Sequence, residues 1–161
     1  MVRILFSFFM VLLAFSIKLS ASEIARCWVS TGVKYQVDPL LLYSIAEQES
    51  SLNPLATNGG NSDGTRDIGL MQINSFWFPV LDKYGISEQD LFDPCVNIDV
   101  GGWILYQSIQ IFGNNWRAVG AYNAGTSKSE EAEMLRQKYA ERVYKRYIRL
   151  SNSGLFEPAK P

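Results

Sequence analysis

Aspartate directly followed by proline occurs twice in this chain, at Asp38-Pro39 and Asp93-Pro94. The aspartate side chain can accept from the first free backbone N–H groups of a helix, and proline suits the first helical position because it has no N–H to satisfy. The pair therefore fixes the starts of two helices. Pro54 must end the first, and Gly113 closes an apolar face that Val96, Val100, Trp103 and Ile104 begin in the second. Around these anchors, Glu23 to Tyr35 reads as an earlier helix with Ile24, Trp28 and Thr31 on one side. Trp116 to Ala124 reads as a short helix stopped by Gly125. Ser129 to Leu150 reads as a longer charged one, with Met134, Leu135, Tyr139, Val143, Tyr144 and Tyr147 inward. Residues 53 to 67 are dense in Asn, Gly, Ser and Asp, with Asp63-Gly64 as the tight-turn dipeptide, and predict the single β element, a hairpin. The expected fold class is mainly α, an α+β helical domain with a small β-hairpin.

The first residues predict an export signal. Met1-Val2-Arg3 is a short basic start, Ile4 to Ile17 is apolar apart from Ser7 and Ser16, and Leu19 to Ser22 supplies small residues for cleavage. That apolar run is shorter than the roughly 20 residues a bilayer-spanning helix needs. The expected organisation is a signal peptide over 1–21, one domain over 22–150 and a flexible tail over 151–161. The mature protein is expected in the periplasm as a monomer without a membrane span. Removing Arg3 and Lys18 takes the formal charge from -1 to -3, so composition gives no reason to expect nucleic acid or an anionic membrane as partner. Cys27 and Cys95, the only cysteines, predict one disulfide in an oxidising compartment.

The chain has no histidine. Ser-His-Asp and Cys-His catalysis and His-containing zinc sites are thereby excluded, and acid-base chemistry falls to carboxylates, lysine or tyrosine. Within the first Asp-Pro helix, Leu42, Ile45, Ala46 and Glu49 follow the i, i+3, i+4, i+7 spacing of one face. A glutamate on an apolar stripe is costly to ionise, so its proton should persist toward neutral pH. Asp67, after polar turn residues, falls at the wet edge of the hairpin, where it should stay ionised. Two carboxylates in such different settings have the pattern of an acid and an electrostatic partner. Glu47 lies about 200° from Glu49 on the helical wheel and reads as a solvated neighbour. Core packing is the simpler reading of Trp77, Trp103 and Trp116.

The string itself is more specific. "ESSLNPLATN" followed by "SDGTRDIGLMQINS" resembles the centre of the lysozyme-like superfamily. "AYNAG" at 121–125 resembles the third signature of the lytic transglycosylases, and "YAERV" from Tyr139 to Val143 their tyrosine-centred fourth. The blocks fall in the family's order across 46–143. Leu135 and Arg136 depart from the glutamate and threonine that many members carry there, and Asp67 is similar to the second carboxylate of animal-type lysozymes.

The resemblance implies a lysozyme-like fold with an active-site cleft and cleavage of the β-1,4 bond between N-acetylmuramic acid and N-acetylglucosamine in peptidoglycan. Glu49 would be acid and then base, with Asp67 or the substrate's acetamido group stabilising charge. Ser50 would contact the sugar near Glu49, Gln72 and Asn74 would line the cleft or brace the hairpin, and Tyr122, Asn123 and Tyr139 would orient the sugar. Neither metal nor cofactor is implied. The partners implied are peptidoglycan glycan strands and a type III secretion or type IV pilus machine. Water in place of the sugar 6-hydroxyl would make the same site a hydrolytic muramidase, and an inert cleft would make a peptidoglycan-binding assembly factor.

Overall fold

The two Asp-Pro pairs open helices as expected. A computed structural model describes residues 21–154 and Phe156. In it Asp38 accepts from the Leu40 N–H at 2.8 Å, opening helix α2 (Pro39–Ser50). Asp93 accepts from the Cys95 and Val96 N–H groups, opening α4 (Pro94–Phe112). Helix α1 (Ala21–Tyr35) precedes them, and Cys27 on α1 is joined to Cys95 in the first turn of α4. Most of the expected signal segment and tail, residues 1–20, 155 and 157–161, lies outside the described residues. No helix among the described residues is long and apolar enough to cross a membrane.

After α2 the chain forms a small antiparallel sheet, β1 (Thr57–Asn58), β2 (Asp67–Ile68) and β3 (Ile73–Asn74), in that order. The expected hairpin is its first half. The third strand exists because Gly69 (φ 78°) and Gln72 (φ 49°) reverse the chain in four residues, with the Gln72 N–H donating to the Gly69 carbonyl at 3.1 Å. A 3-10 turn at Ser75–Trp77 and the one-turn helix α3 (Phe78–Leu81) lead toward α4. Helices α5 (Trp116–Ala124) and α6 (Glu130–Ser151) complete the fold.

Leu42, Ile45 and Ala46 of α2, Ile98 and Leu105 of α4, and Tyr139 and Val143 of α6 meet Ile68, Met71 and Ile73 of the sheet in one core. The sheet is therefore anchored by its own apolar side chains to three helices, with its polar residues left toward solvent.

Helix α6 turns inward only part of the face expected, with Tyr139 and Val143 buried as expected. Met134, Leu135 and Tyr144 are 52%, 48% and 47% exposed, whereas Ala132, Arg136, Tyr139, Ala140 and Val143 are buried. The contact with α5 decides this. A Cβ on Gly120 would lie 2.3 Å from the Arg136 carbonyl oxygen, so the helices approach on small residues rather than on the largest apolar ones. Arg136 is buried at little cost because its guanidinium donates to the Gly125 carbonyl and to Glu133 and lies over the Phe112 ring. Past α6, Phe156 packs edge-on against Tyr43.

Candidate active site

Glu49 stands on the last turn of α2, and the backbone leaves it abruptly. Ser51 (φ 54°) and Leu52 (φ 64°) are consecutive non-glycine residues in the left-handed region, a conformation that costs on the order of 1 kcal/mol or more per residue. The Ser51 N–H caps the helix on the Ala46 and Glu47 carbonyls. The turn ends α2 directly after Glu49-Ser50 and sends the chain into the sheet.

Glu49 opens onto a cavity of about 760 Å³. One wall is the sheet and the adjoining Ser75–Trp77 turn, with Asp67, Gln72, Asn74, Phe76 and Trp77. The floor is α4 from Trp103 to Ile111, and the other wall is the end of α5 with Tyr122 and Asn123. Burial raises the Glu49 carboxyl to about 7. The Tyr139 hydroxyl, which donates a hydrogen bond to Oε1, opposes that rise, the nearby Asp67 charge adds to it, and Arg142 opposes it. The apolar stripe thus holds a proton on this side chain near neutral pH.

Asp67 is held differently. Asn74 donates to Oδ1 at 2.7 Å, while Asn61 and Asn58 donate to Oδ2 at 2.9 and 3.1 Å. Both oxygens act as acceptors, in a cradle that Thr65 extends by accepting from Asn61 and Asn74 and donating to Asp63. The turn-forming asparagines therefore have a second use, one that a reading of them as turn residues alone does not capture.

The Gly69–Gln72 turn is clamped from three helices. Ser50 of α2 donates to the Leu70 carbonyl at 2.7 Å. Tyr122 of α5 donates to the Met71 carbonyl at 2.8 Å. Asn97 of α4, fully buried, accepts from the Met71 N–H at 2.7 Å and donates to the Ile68 and Leu91 carbonyls. A Cβ at Gly69 would meet Asn97 Nδ2 at 2.2 Å, so glycine is required there by space as well as by φ. Gln72 donates to the Gly69 and Ala56 carbonyls, bracing the turn from within.

The residues singled out from the sequence thus gather in one place with distinct surroundings. Glu49, Asp67, Gln72, Asn74, Tyr122 and Asn123 line the cavity. Ser50 bonds to backbone, and Tyr139, 1% exposed, stands behind Glu49. Glu47 pairs with Arg146 and Arg149 rather than standing alone in water. Trp77 and Trp103 pack against the core as expected and also line the cavity. Asn97 is the residue that spacing misses. Its signal is a lone amide between Val96 and Ile98, one turn before Gly101 on the buried face of α4.

Comparison with known proteins finds a matching family model and similar chains. Residues 26–145 match the family model described as "Transglycosylase SLT domain". Invasion protein IagB of Salmonella typhimurium (strain SL1344) is 44% identical over 137 residues, 84% of each chain. Protein IpgF of Shigella flexneri is 42% identical over 128 residues, 79% of this chain and 82% of that one. Among solved structures, an inactive mutant of the lytic transglycosylase Slt from Pseudomonas aeruginosa superposes with a TM-score of 0.62 at 23% identity. The match covers 80% of this chain but 24% of that one, and it shows a shared fold.

Proposed function

Because the chain belongs to the SLT transglycosylase family and is a peptidoglycan lytic transglycosylase, we propose that its reaction is run by Glu49 with Asp67 across the cleft. The observation that carries this reading is the Glu49 carboxyl, raised to about 7 by burial at the edge of a cavity that Asp67 also lines.

The chemistry is set by those surroundings. The protonated Glu49 gives its proton to the glycosidic oxygen between N-acetylmuramic acid and N-acetylglucosamine, and the C–O bond breaks with the electron pair leaving on that oxygen. Positive charge at the anomeric carbon is stabilised by the Asp67 carboxylate, or by the substrate's own acetamido oxygen. Glu49, now a carboxylate, takes the proton from the 6-hydroxyl of the same muramic acid, whose oxygen closes a 1,6-anhydro ring. No water is consumed and Glu49 ends protonated. Gln72, Asn74, Tyr122 and Asn123 line the cleft around the sugar, and Tyr139 orients Glu49 from behind.

The biological setting belongs to the same proposal. The N-terminal segment directs export, and the enzyme works in the periplasm, opening the wall locally for a secretion or pilus machine. Support comes from the name of its relative, an invasion protein.

The test is mass spectrometry of sugars released from purified peptidoglycan by residues 23–161, beside Glu49→Gln. Products one water lighter than reducing muropeptides are expected from the parent protein and none from the variant. Reducing-end products would replace the transglycosylase outcome with hydrolysis, a second reading that the three-amide cradle of Asp67 favours. Absence of any product would overturn both.

A further inference from the structure

The formal charge of -1 conceals an uneven distribution. Residues 136–149 of α6 hold six lysines and arginines and one glutamate, whereas the other acidic residues of this helix gather in its first turn, at Glu130, Glu131 and Glu133. Of the six cations, Arg136 is buried in the core. Lys138, Arg142, Lys145 and Arg149 follow at spacings of four, three and four, which places them within an arc of about 60° and along about 16 Å of the helix. All four are exposed, Lys145 and Arg149 by 71% and 60% of their side chains.

Nearby carboxylates offset only part of this charge. Glu141 pairs with Lys145 at 2.6 Å, and Glu47 is shared by Arg146 and Arg149. Two carboxylates thus face five cations. Like charges three and four residues apart repel along a helix, so this stripe is not what the stability of α6 alone favours. Beside it runs a second ridge. Tyr144 and Ile148 are 47% and 40% exposed, and Trp116 of α5 stands edge-on to Tyr144 with centroids 5.0 Å apart. The cavity that Glu49 opens onto is lined by residues from Glu49 to Thr126, none of them on α6, so a partner on this face does not fill the cleft.

We propose that this face of α6 lies against an anionic lipid bilayer. Phosphate headgroups supply the missing counter-charge to Lys138, Arg142, Lys145 and Arg149. Tyr144, Ile148 and Trp116 enter the boundary between headgroups and acyl chains, while the long cationic stems keep their charges among the phosphates. This apolar ridge selects a bilayer over an acidic protein segment, which would use the charges and leave Ile148 in water. The net charge of the chain opposes the contact, so binding is weak, reversible and governed by the stripe. Neither the surface nor its test depends on the reaction proposed for Glu49.

Residues 21–161 span every described element and omit the apolar run Ile4 to Ile17, which would itself enter lipid. This protein is sedimented with vesicles of phosphatidylcholine, with and without phosphatidylglycerol. Binding to the mixed vesicles alone, lost in high salt, is expected. Lys138→Gln with Lys145→Gln should weaken partition roughly tenfold, and Lys138→Arg with Lys145→Arg should retain it. Lys83→Gln with Lys128→Gln removes the same charge from outside α6 and should change partition by less than about twofold. Ile148→Ser should weaken it roughly threefold with charge unchanged. Failure to bind mixed vesicles, equal binding to neutral ones, equal losses from the two glutamine pairs, or an Ile148→Ser variant that binds like its parent overturns the inference. Capture by polyglutamate but not by vesicles also overturns it, and assigns the stripe to an acidic protein segment.

Discussion

The Tyr139 hydroxyl donates a hydrogen bond to Glu49 Oε1 from 90 residues further along the chain. Tyr139 is buried in the core and Glu49 opens to the cleft, so the bond joins packing to the proposed chemistry. It also acts against burial, since a donated hydrogen bond favours the carboxylate whereas desolvation favours the acid. Glu49 rests near 7 as the balance of the two.

Tyr139→Phe tests that balance. The variant keeps the ring and its packing but removes the donor, so the Glu49 carboxyl should rise further and the alkaline limb of the pH–rate profile should move to higher pH. Loss of a buried hydrogen bond costs about 1 to 2 kcal/mol of stability as well, but stability loss alone leaves the limb where it was. An unmoved limb would remove Tyr139 from the proposed acid's environment.

Glu49→Gln should make the protein more stable at neutral pH while abolishing cleavage. The native carboxyl is raised from 4.5 to about 7, so the folded state keeps a proton that the unfolded chain has released. Stability therefore falls as pH rises through that window, and is free of the penalty below about 4.5. Glutamine has no such penalty. Melting curves should show the variant ahead by roughly 1 to 3 kcal/mol above pH 7, with the gap closing toward pH 4. A variant no more stable than its parent at pH 8 would mean that Glu49 is not held against ionisation.

Asp67→Asn should slow cleavage roughly tenfold to a hundredfold. The substitution also sets a fourth amide among Asn58, Asn61 and Asn74, whose N–H groups now converge on two carboxylate oxygens. One of those donors must then turn away or lose its acceptor. The measured quantity is kcat on purified glycan strands, and parental kcat would reduce Asp67 to a brace for the sheet.

How far the sequence disclosed this site depends on whether each feature is local. The Asp38-Pro39 and Asp93-Pro94 starts and the Glu49 stripe are written within a few residues of themselves, and structure and expectation agree there. The inward face of α6 is not local. It depends on Gly120 allowing close approach and on a buried Arg136 satisfied by Gly125 and Glu133, so the larger Met134 and Leu135 are misleading guides. The Asp67 cradle is likewise a product of chain reversal. Asn58 and Asn61 look like turn residues until Asp67 is folded back beside them, and Trp77 and Trp103 look like core alone until a cleft opens at their edge.

Asn97 supplies the last prediction, because it tests whether the Gly69–Gln72 turn is held or merely adjacent. Its amide meets three backbone groups, Ile68 O, Leu91 O and Met71 N, with no exposure to water. Asn97→Ala removes its bonds to all three in a dry interior and opens a cavity, so the cost should be roughly 2 to 4 kcal/mol. Ser50→Ala removes one bond to the same turn from a position that is only half-buried, and should cost about 1 kcal/mol. The two losses act on one four-residue turn, so they should not add: the double variant should depart from the sum by roughly 0.5 kcal/mol or more. Denaturant melts of the four proteins measure that coupling. Strict additivity would mean that Ser50 and Asn97 hold separate pieces of backbone, and that the turn carrying Gln72 into the cleft is not clamped as one unit.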